Sequence, residues 1–138
     1  MSNIIQKAVI DKSGIPLYKK FLDLASLRHK LIAGNLSNVS TPNYQSKDID
    51  FHTELKKAVG SDNHIQVKLT NPAHIPIGGS RDSEPEIVVD KTAESNGVNN
   101  VDVDKEVANL AMNQIYFTTG AKLMAKKFAA LSNAIKSK

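Results

Sequence analysis

The chain has no cysteine and no tryptophan, and aromatic residues make up only 5% of its 138 positions. Without cysteine, disulfides, thiolate metal sites and cysteine nucleophiles are excluded. No stretch approaches the roughly 18 consecutive apolar residues of a membrane-spanning helix, so we expect no direct membrane insertion. The first ten residues lack the uninterrupted apolar core of a cleaved signal peptide. If the protein leaves the cytoplasm, we expect it to do so without one.

Motifs for catalysis and metal binding are also missing. The histidines, His29, His52, His64 and His74, are scattered without an i, i+4 pair, so a zinc site is not expected. No nucleophile elbow, phosphate-binding loop or dinucleotide fingerprint occurs. We therefore expect no enzymatic activity and no cofactor.

Charge is divided unevenly along the chain. The net charge of +4 combines six bases and two acids in residues 1–44, six bases and nine acids in 45–100, and six bases and three acids in 101–138. Basic ends around an acidic centre are not typical of one uniform nucleic-acid face. We expect no nucleic-acid partner, although a small basic coiled-coil protein that binds nucleic acid is the alternative from a different class.

The strongest pattern lies near the end of the chain. Alternating steps of four and three residues reach positions that are apolar with one exception. These positions, which we call the heptad stripe, are Val103, Val107, Leu110, Gln114, Phe117, Ala121, Met124, Phe128, Leu131 and Ile135. The stripe predicts a helix roughly 50 Å long that packs along another helix. Acids at its start and lysines at its end suit the helix dipole.

Two residues interrupt this helical pattern. Gln114 is a polar residue in the stripe, where such a residue can fix the register of helix pairing. Gly120 lies in the helix interior, where glycine costs about 1 kcal/mol relative to alanine. We predict that a neighbouring backbone approaches closely at Gly120.

A second amphipathic helix is predicted from Pro16 to about Asn38, because apolar residues recur at helical spacing between a Ser-Gly break and Ser-Thr-Pro turn residues. Between the helices we predict a short helix over 53–59 and a small hairpin of strands 65–69 and 87–89, followed by a polar, mobile stretch over 90–100. The fold class is thus mainly α, with long terminal helices packed as an antiparallel coiled coil around a small irregular or β-hairpin insert. Its three parts are 1–44, 45–100 and 101–138.

The first predicted helix ends in a motif that resembles the signature of a known group of proteins. Residues 34–44, with the sequence GNLSNVSTPNY, resemble the signature of the bacterial flagellar axial proteins, which comprise the rod, hook and hook-associated families. The matching residues are Asn35, Leu36, Asn38, Thr41, Pro42 and Tyr44. Asn43 replaces the usual glycine, a tolerable change because asparagine also adopts left-handed turn geometry. Residues 46–51, 70–75 and 99–106 resemble the proximal rod proteins of that group.

The resemblance implies a structural subunit of the flagellar basal-body rod. It further implies export by the flagellar type III apparatus and assembly in the periplasm beside other rod subunits, copies of itself and the adaptor between MS ring and rod. Another short rod subunit is the alternative within the group. Asn35 and Asn38 are expected to bond free carbonyls at the helix end or an adjoining subunit's backbone.

The interface is expected to lie on the apolar stripes of both helices, which would bury against neighbouring subunits. The residues assigned to it are Leu17, Phe21, Leu24, Leu31, Val107, Leu110, Gln114, Phe117, Met124, Phe128, Leu131 and Ile135.

Overall fold

The computed structural model describes residues 13–60, 84–91 and 97–136. In chain order, the elements are α1 (Ile15–Ser37), β1 (Lys47–Ile49), α2 (Phe51–Gly60), β2 (Ile87–Val89) and α3 (Val103–Lys136). The predicted class, long terminal helices with a small β element between them, is confirmed. The division into three parts stays a prediction.

Helices α1 and α3 pack side by side and run in opposite directions. Asn35, near the end of α1, bonds Glu106 near the start of α3. Phe21, near the start of α1, lies against Gly120 further along α3. With 34 residues against 23, α3 is the longer partner, and α1 therefore covers only part of its length.

Local signals set the limits of α1. Gly14 before it adopts a left-handed φ of 77°, and Pro16 occupies the first turn, where its missing N–H costs no hydrogen bond. At the other end, the Asn38 N–H donates to the carbonyls of Gly34 (3.2 Å) and Asn35 (3.0 Å). The helix therefore begins and ends as predicted.

The middle of the chain differs from the prediction in its strand pairing. Strand β2 lies where expected, but its antiparallel partner is β1, with Lys47 opposite Val89 and Ile49 opposite Ile87. The predicted strand 65–69 lies outside the described residues. Helix α2 is slightly longer than the predicted 53–59, because Asp50 caps it by accepting from the Thr53 N–H at 3.0 Å.

The buried apolar core is small. Its members are Ile15, Leu24, Ala25, Ile32, Ile49 and Val101. Beside it, the rings of Phe21, Phe51 and Tyr116 join the three helices, with centroids 5.1 Å apart for Phe21–Phe51 and 5.4 Å for Phe51–Tyr116. Such pairs add about 0.5–1.5 kcal/mol each beyond area burial, which helps hold α2 against the helix pair.

The stretch over 90–100 was predicted to be mobile, and this is wrong for its last residues. Asn99 is 1% exposed and Asn100 is 9% exposed, because both side chains bond distant backbone. Residues 92–96 lie outside the described part of the chain. None of the helices described here is long and apolar enough to cross a membrane.

Candidate assembly interface

Asn35 connects three separate parts of the fold. Its amide group donates to the Lys47 carbonyl at 2.9 Å and to Glu106 Oε1 at 3.1 Å. Its Oδ1 accepts from the Lys47 N–H at 2.9 Å and from the Tyr44 hydroxyl at 3.2 Å. The side chain therefore bonds β1 as a neighbouring strand would and ties both strand and α3 to the end of α1.

Two further asparagines complete this connection. Asn99 Nδ2 lies 2.9–3.0 Å from the carbonyls of Asn38, Val39 and Thr41. Asn100 accepts from the Ser46 N–H at 2.8 Å and donates to the Asp90 carbonyl at 2.7 Å. We call Asn35, Asn99 and Asn100 the asparagine junction. It supplies hydrogen bonds to backbone groups of the turn after α1, of Ser46 and Lys47, and of Asp90.

The remaining signature residues shape the turn after α1. Asn38 donates from its side chain to the Gly34 carbonyl at 2.8 Å and accepts from the Thr41 hydroxyl at 3.1 Å. The predicted bonding of Asn38 to a free helix-end carbonyl is confirmed, whereas Asn35 bonds β1 and α3 of its own chain. Asn43 has a φ of 59°, as its place in the motif predicted. Leu36 is half-buried and Pro42 exposed.

Glu106 is the buried acid of the helix pair, with 6% of its surface exposed. Burial raises the pKa of its carboxyl, an effect that the Asn35 hydrogen bond and the Lys105 and Arg28 charges oppose and the Asp48 charge reinforces. Arg28 itself is engaged by Asp48 through two hydrogen bonds of 2.8 and 2.7 Å. Glu106 Oε2 has no hydrogen-bond partner in the described part of the chain.

Helix α3 presents an unexpected face to α1. The residues it buries are Glu106, Asn113 and Gly120, spaced by seven, which we call the buried ladder. Asn113 donates to the Ala25 carbonyl at 2.9 Å, while its Oδ1 has no hydrogen-bond partner among residues 13–60, 84–91 and 97–136. The heptad stripe runs beside the ladder, since Val107 follows Glu106 by one residue and is turned from it by about 100°.

Much of the heptad stripe remains exposed as a result. Val103, Val107, Phe117, Phe128 and Ile135 keep between 42% and 77% of their surface in solvent. Gln114 and Ala121 are also exposed, and Leu110, Met124 and Leu131 are half-buried. On α1, Leu17 is 37% exposed and Leu24 is 1% exposed, with Phe21 and Leu31 half-buried. Leu24 therefore packs inside the chain.

The predictions made for Gln114 and Gly120, the two residues that interrupt the helical pattern, also change. The polar residue buried against α1 is Asn113, one position before the exposed Gln114. Gly120 does face a close neighbour, but that neighbour is a side chain of the same chain. A Cβ there would lie 2.6 Å from Phe21 Cδ1 and 3.2 Å from Leu22 Cδ2, so the prediction of a neighbouring backbone is wrong.

A second exposed apolar row lies on another face of α3. Its residues, which we call the outer stripe, are Met112, Ile115 and Leu123, exposed by 51%, 65% and 41%. Ile115 follows Asn113 by two residues and is therefore turned from it by about 200°. The helix thus has apolar rows on two sides besides its contact with α1, as a helix surrounded by neighbours requires.

Comparison with known proteins shows the family of this chain. No family model matches the chain. A protein of Aquifex aeolicus named flagellar basal body rod protein FlgB is 31% identical over 126 residues, which cover 91% of this chain and 94% of that protein. The FlgB of Bacillus subtilis strain 168 is 34% identical over 116 residues, covering 83% of this chain and 86% of that protein. This chain belongs to the flagellar basal body rod protein FlgB family.

The FlgB of Borreliella burgdorferi agrees, at 32% identity over 124 residues covering 85% of this chain and 91% of that protein. The resemblance seen at residues 34–44 is therefore confirmed as family membership. Sequence reasoning missed Glu106, Asn113 and Asn100 as buried polar residues of this FlgB-family fold. The spacing of seven from Glu106 to Gly120 was the only signal for the ladder, and the apolar row beside it obscured that signal.

Proposed function

We propose that the protein is a structural subunit of the proximal flagellar rod and that it assembles through the heptad and outer stripes of α3. The observation that carries this proposal is the exposure of large apolar residues along α3, among them Phe128 at 51% and Ile115 at 65%. Contiguous apolar rows on a monomer mark protein contact sites. Membership of a rod protein family supports the same role.

The proposed contacts are between helices. Both stripes follow the period of an α-helix over a helix of 34 residues, so a helix from a neighbour can bury them along their length. Burying one Val, Leu or Phe side chain contributes about 1.5–3 kcal/mol, and several such residues per subunit would make a stiff shaft. The role is structural, and we assign no catalytic step to any residue.

The proposed neighbours are copies of this chain, other rod subunits and the adaptor between MS ring and rod. We place the subunit in the periplasmic part of the basal body and propose that it arrives through the flagellar type III export apparatus. The small apolar core supports this route, since a chain with few buried side chains is opened at low cost for passage through a narrow channel.

The test is to place a charge in the heptad stripe. Phe128→Asp should abolish rod assembly and swimming, because a carboxylate would be buried without a partner between helices. The isolated protein should keep its thermal stability to within about 0.5 kcal/mol, since the site is exposed in the monomer. Motility in soft agar and recovery of rods from isolated basal bodies measure the first effect, and circular dichroism measures the second.

Ser26→Asp is the matched control. Ser26 is exposed on α1 and is turned by about 200° from the buried Leu24, two residues earlier. It belongs to neither stripe of α3. A strain with this variant should swim. Normal rods and normal swimming in the Phe128→Asp strain, with the variant protein exported, would overturn the proposal.

A further inference from the structure

Helix α3 turns the buried ladder toward α1 and leaves much of the heptad stripe exposed, which the hydrophobic effect alone does not explain. Glu106 and Asn113 are 6% and 1% exposed, whereas Val107 and Phe117 remain 51% and 42% exposed. If apolar burial alone set the packing, α3 would turn about its axis by roughly 70° and centre the heptad stripe on α1. Specific contacts must therefore hold the observed orientation.

Each residue of the buried ladder contacts one particular residue on α1. Asn35 donates to Glu106 at 3.1 Å, and the Ala25 carbonyl accepts from Asn113 at 2.9 Å. Gly120 leaves room for the Phe21 ring, which a Cβ would approach to 2.6 Å. A turn of α3 about its axis would lose both hydrogen bonds and the fit at Gly120 together.

These polar contacts are poor sources of stability. Within the residues that the structure describes, Glu106 Oε2 and Asn113 Oδ1 are both buried without a hydrogen-bond partner, and each such atom costs free energy relative to its hydrated state. Buried polar residues in helix pairs are known to select one arrangement at the expense of stability. The ladder fits that description.

We infer that the buried ladder, Asn113 above all, fixes the rotation of α3 against α1 so that the heptad stripe stays outward and free for another helix. Asn113 and Glu106 are thus orientation-determining residues for α3. The use of the exposed stripe rests on the proposed function, but the orientation itself does not. The test therefore measures orientation in the isolated chain, where no assembly is needed.

The test places one reporter on the heptad stripe. Because the chain has no cysteine, Val107→Cys can carry a trifluoromethyl tag at a single site. Fluorine NMR with a soluble gadolinium complex then measures how exposed the tag is. With Asn113 intact the tag should relax strongly, as expected for an exposed stripe. With Asn113→Asp, which removes the donor and opposes a carboxylate to the Ala25 carbonyl, the relaxation should fall several-fold.

Gln114→Glu is the matched control, since it makes the same chemical change one residue later at an exposed position. It should leave the tag unchanged. Asn113→Ala is the second variant, because it removes the donor without adding charge, and it should also protect the tag.

Unchanged relaxation in Asn113→Asp and Asn113→Ala with helical content retained would overturn the inference. Equal protection in Gln114→Glu would overturn it as well. Loss of helical content in both Asn113 variants would show that Asn113 supplies stability instead of orientation, which again contradicts the inference. None of these outcomes bears on whether rods assemble, so the two proposals fail separately.

Discussion

The two ends of the α1–α3 contact are held by different forces. At one end, the asparagine junction bonds backbone groups from three parts of the chain, residues 38–41, 46–47 and 90, through directional hydrogen bonds. At the other, Phe21 fits against Gly120 and makes edge-on contacts with the rings of Phe51 and Tyr116. The first end depends on polar atoms in exact positions, and the second depends on shape.

The difference shows where the fold tolerates change. A hydrogen bond needs its donor and acceptor in fixed positions, so loss of one side chain from the junction removes several bonds at once. An aromatic cluster can shift by small adjustments and lose only part of its contact energy. We therefore expect the junction to be the more sensitive end.

The largest effect is expected at Asn99. Asn99→Ala should lower the free energy of unfolding by about 3 kcal/mol, since three carbonyls each lose a hydrogen bond from this buried side chain. Urea unfolding followed by circular dichroism measures this loss. Ser37→Ala is the control, because its exposed hydroxyl bonds only the Ala33 carbonyl, and it should change stability by less than about 0.5 kcal/mol. A loss below about 1 kcal/mol at Asn99 would contradict the importance of the junction.

A smaller effect is expected at the shape-dependent end. Gly120→Ala gains about 1 kcal/mol of helix propensity but crowds the Phe21 ring, at a typical cost of about 1–3 kcal/mol. The net result should be a modest destabilisation of about 1 kcal/mol, measured by thermal unfolding. Gly34→Ala is the matched variant in α1, where a Cβ would meet only Tyr44 Oη at 3.9 Å. It should stabilise the protein, and equal stabilisation by both variants would show that Phe21 gives way freely.

The smallest expected effect is the change of stability with pH that Glu106 causes, at the junction end of the contact. Burial raises the pKa of Glu106 above its ordinary value of 4.5 in the folded protein, so the folded state binds this proton more readily than the unfolded state. Its contribution to stability is present below the ordinary value and is lost as the pH rises through the raised pKa. In Glu106→Gln, the decline in stability over this interval should be weaker, as measured by urea midpoints across the pH range.

Asp50 provides the control with opposite sign. Hydrogen bonds from Thr53 lower the pKa of this exposed carboxyl, so its contribution is lost as the pH falls. Asp50→Asn should therefore flatten the acidic side of the profile and leave the decline attributed to Glu106 in place. An identical pH profile for Glu106→Gln and the parent protein would contradict the assignment.

Local features of this fold could be predicted from the sequence. Pro16 and the turn residues after Asn38 limit α1, and Asn43 adopts the left-handed turn that its place in the motif requires. These features depend on residues close in sequence, whose conformational preferences act without tertiary contacts. The approximate lengths of the two helices followed from their apolar periodicity.

Long-range features could not be predicted. The pairing of β2 with β1 depends on Asn35 and Asn100, whose partners are remote in sequence and leave no periodic signal. The sequence predicts the contact between the two helices on the heptad stripe, one residue C-terminal to the buried ladder. The reason is that apolar periodicity identifies the most hydrophobic row of a helix. The row that α3 buries is instead the ladder with Asn113. The most hydrophobic row of a helix is also its buried row only when all contacts of the helix lie within one chain.

The pairing of Ile49 with Ile87 brings together two points of the chain that are far apart in sequence. The segment between β1 and β2 therefore begins and ends at this strand pair, beside the helix pair. Extra residues inserted in it would add closure entropy that grows only slowly, by about 0.6 kcal/mol for each doubling of length. The β1–β2 pair is thus a position at which the chain can be lengthened while α1 and α3 stay paired.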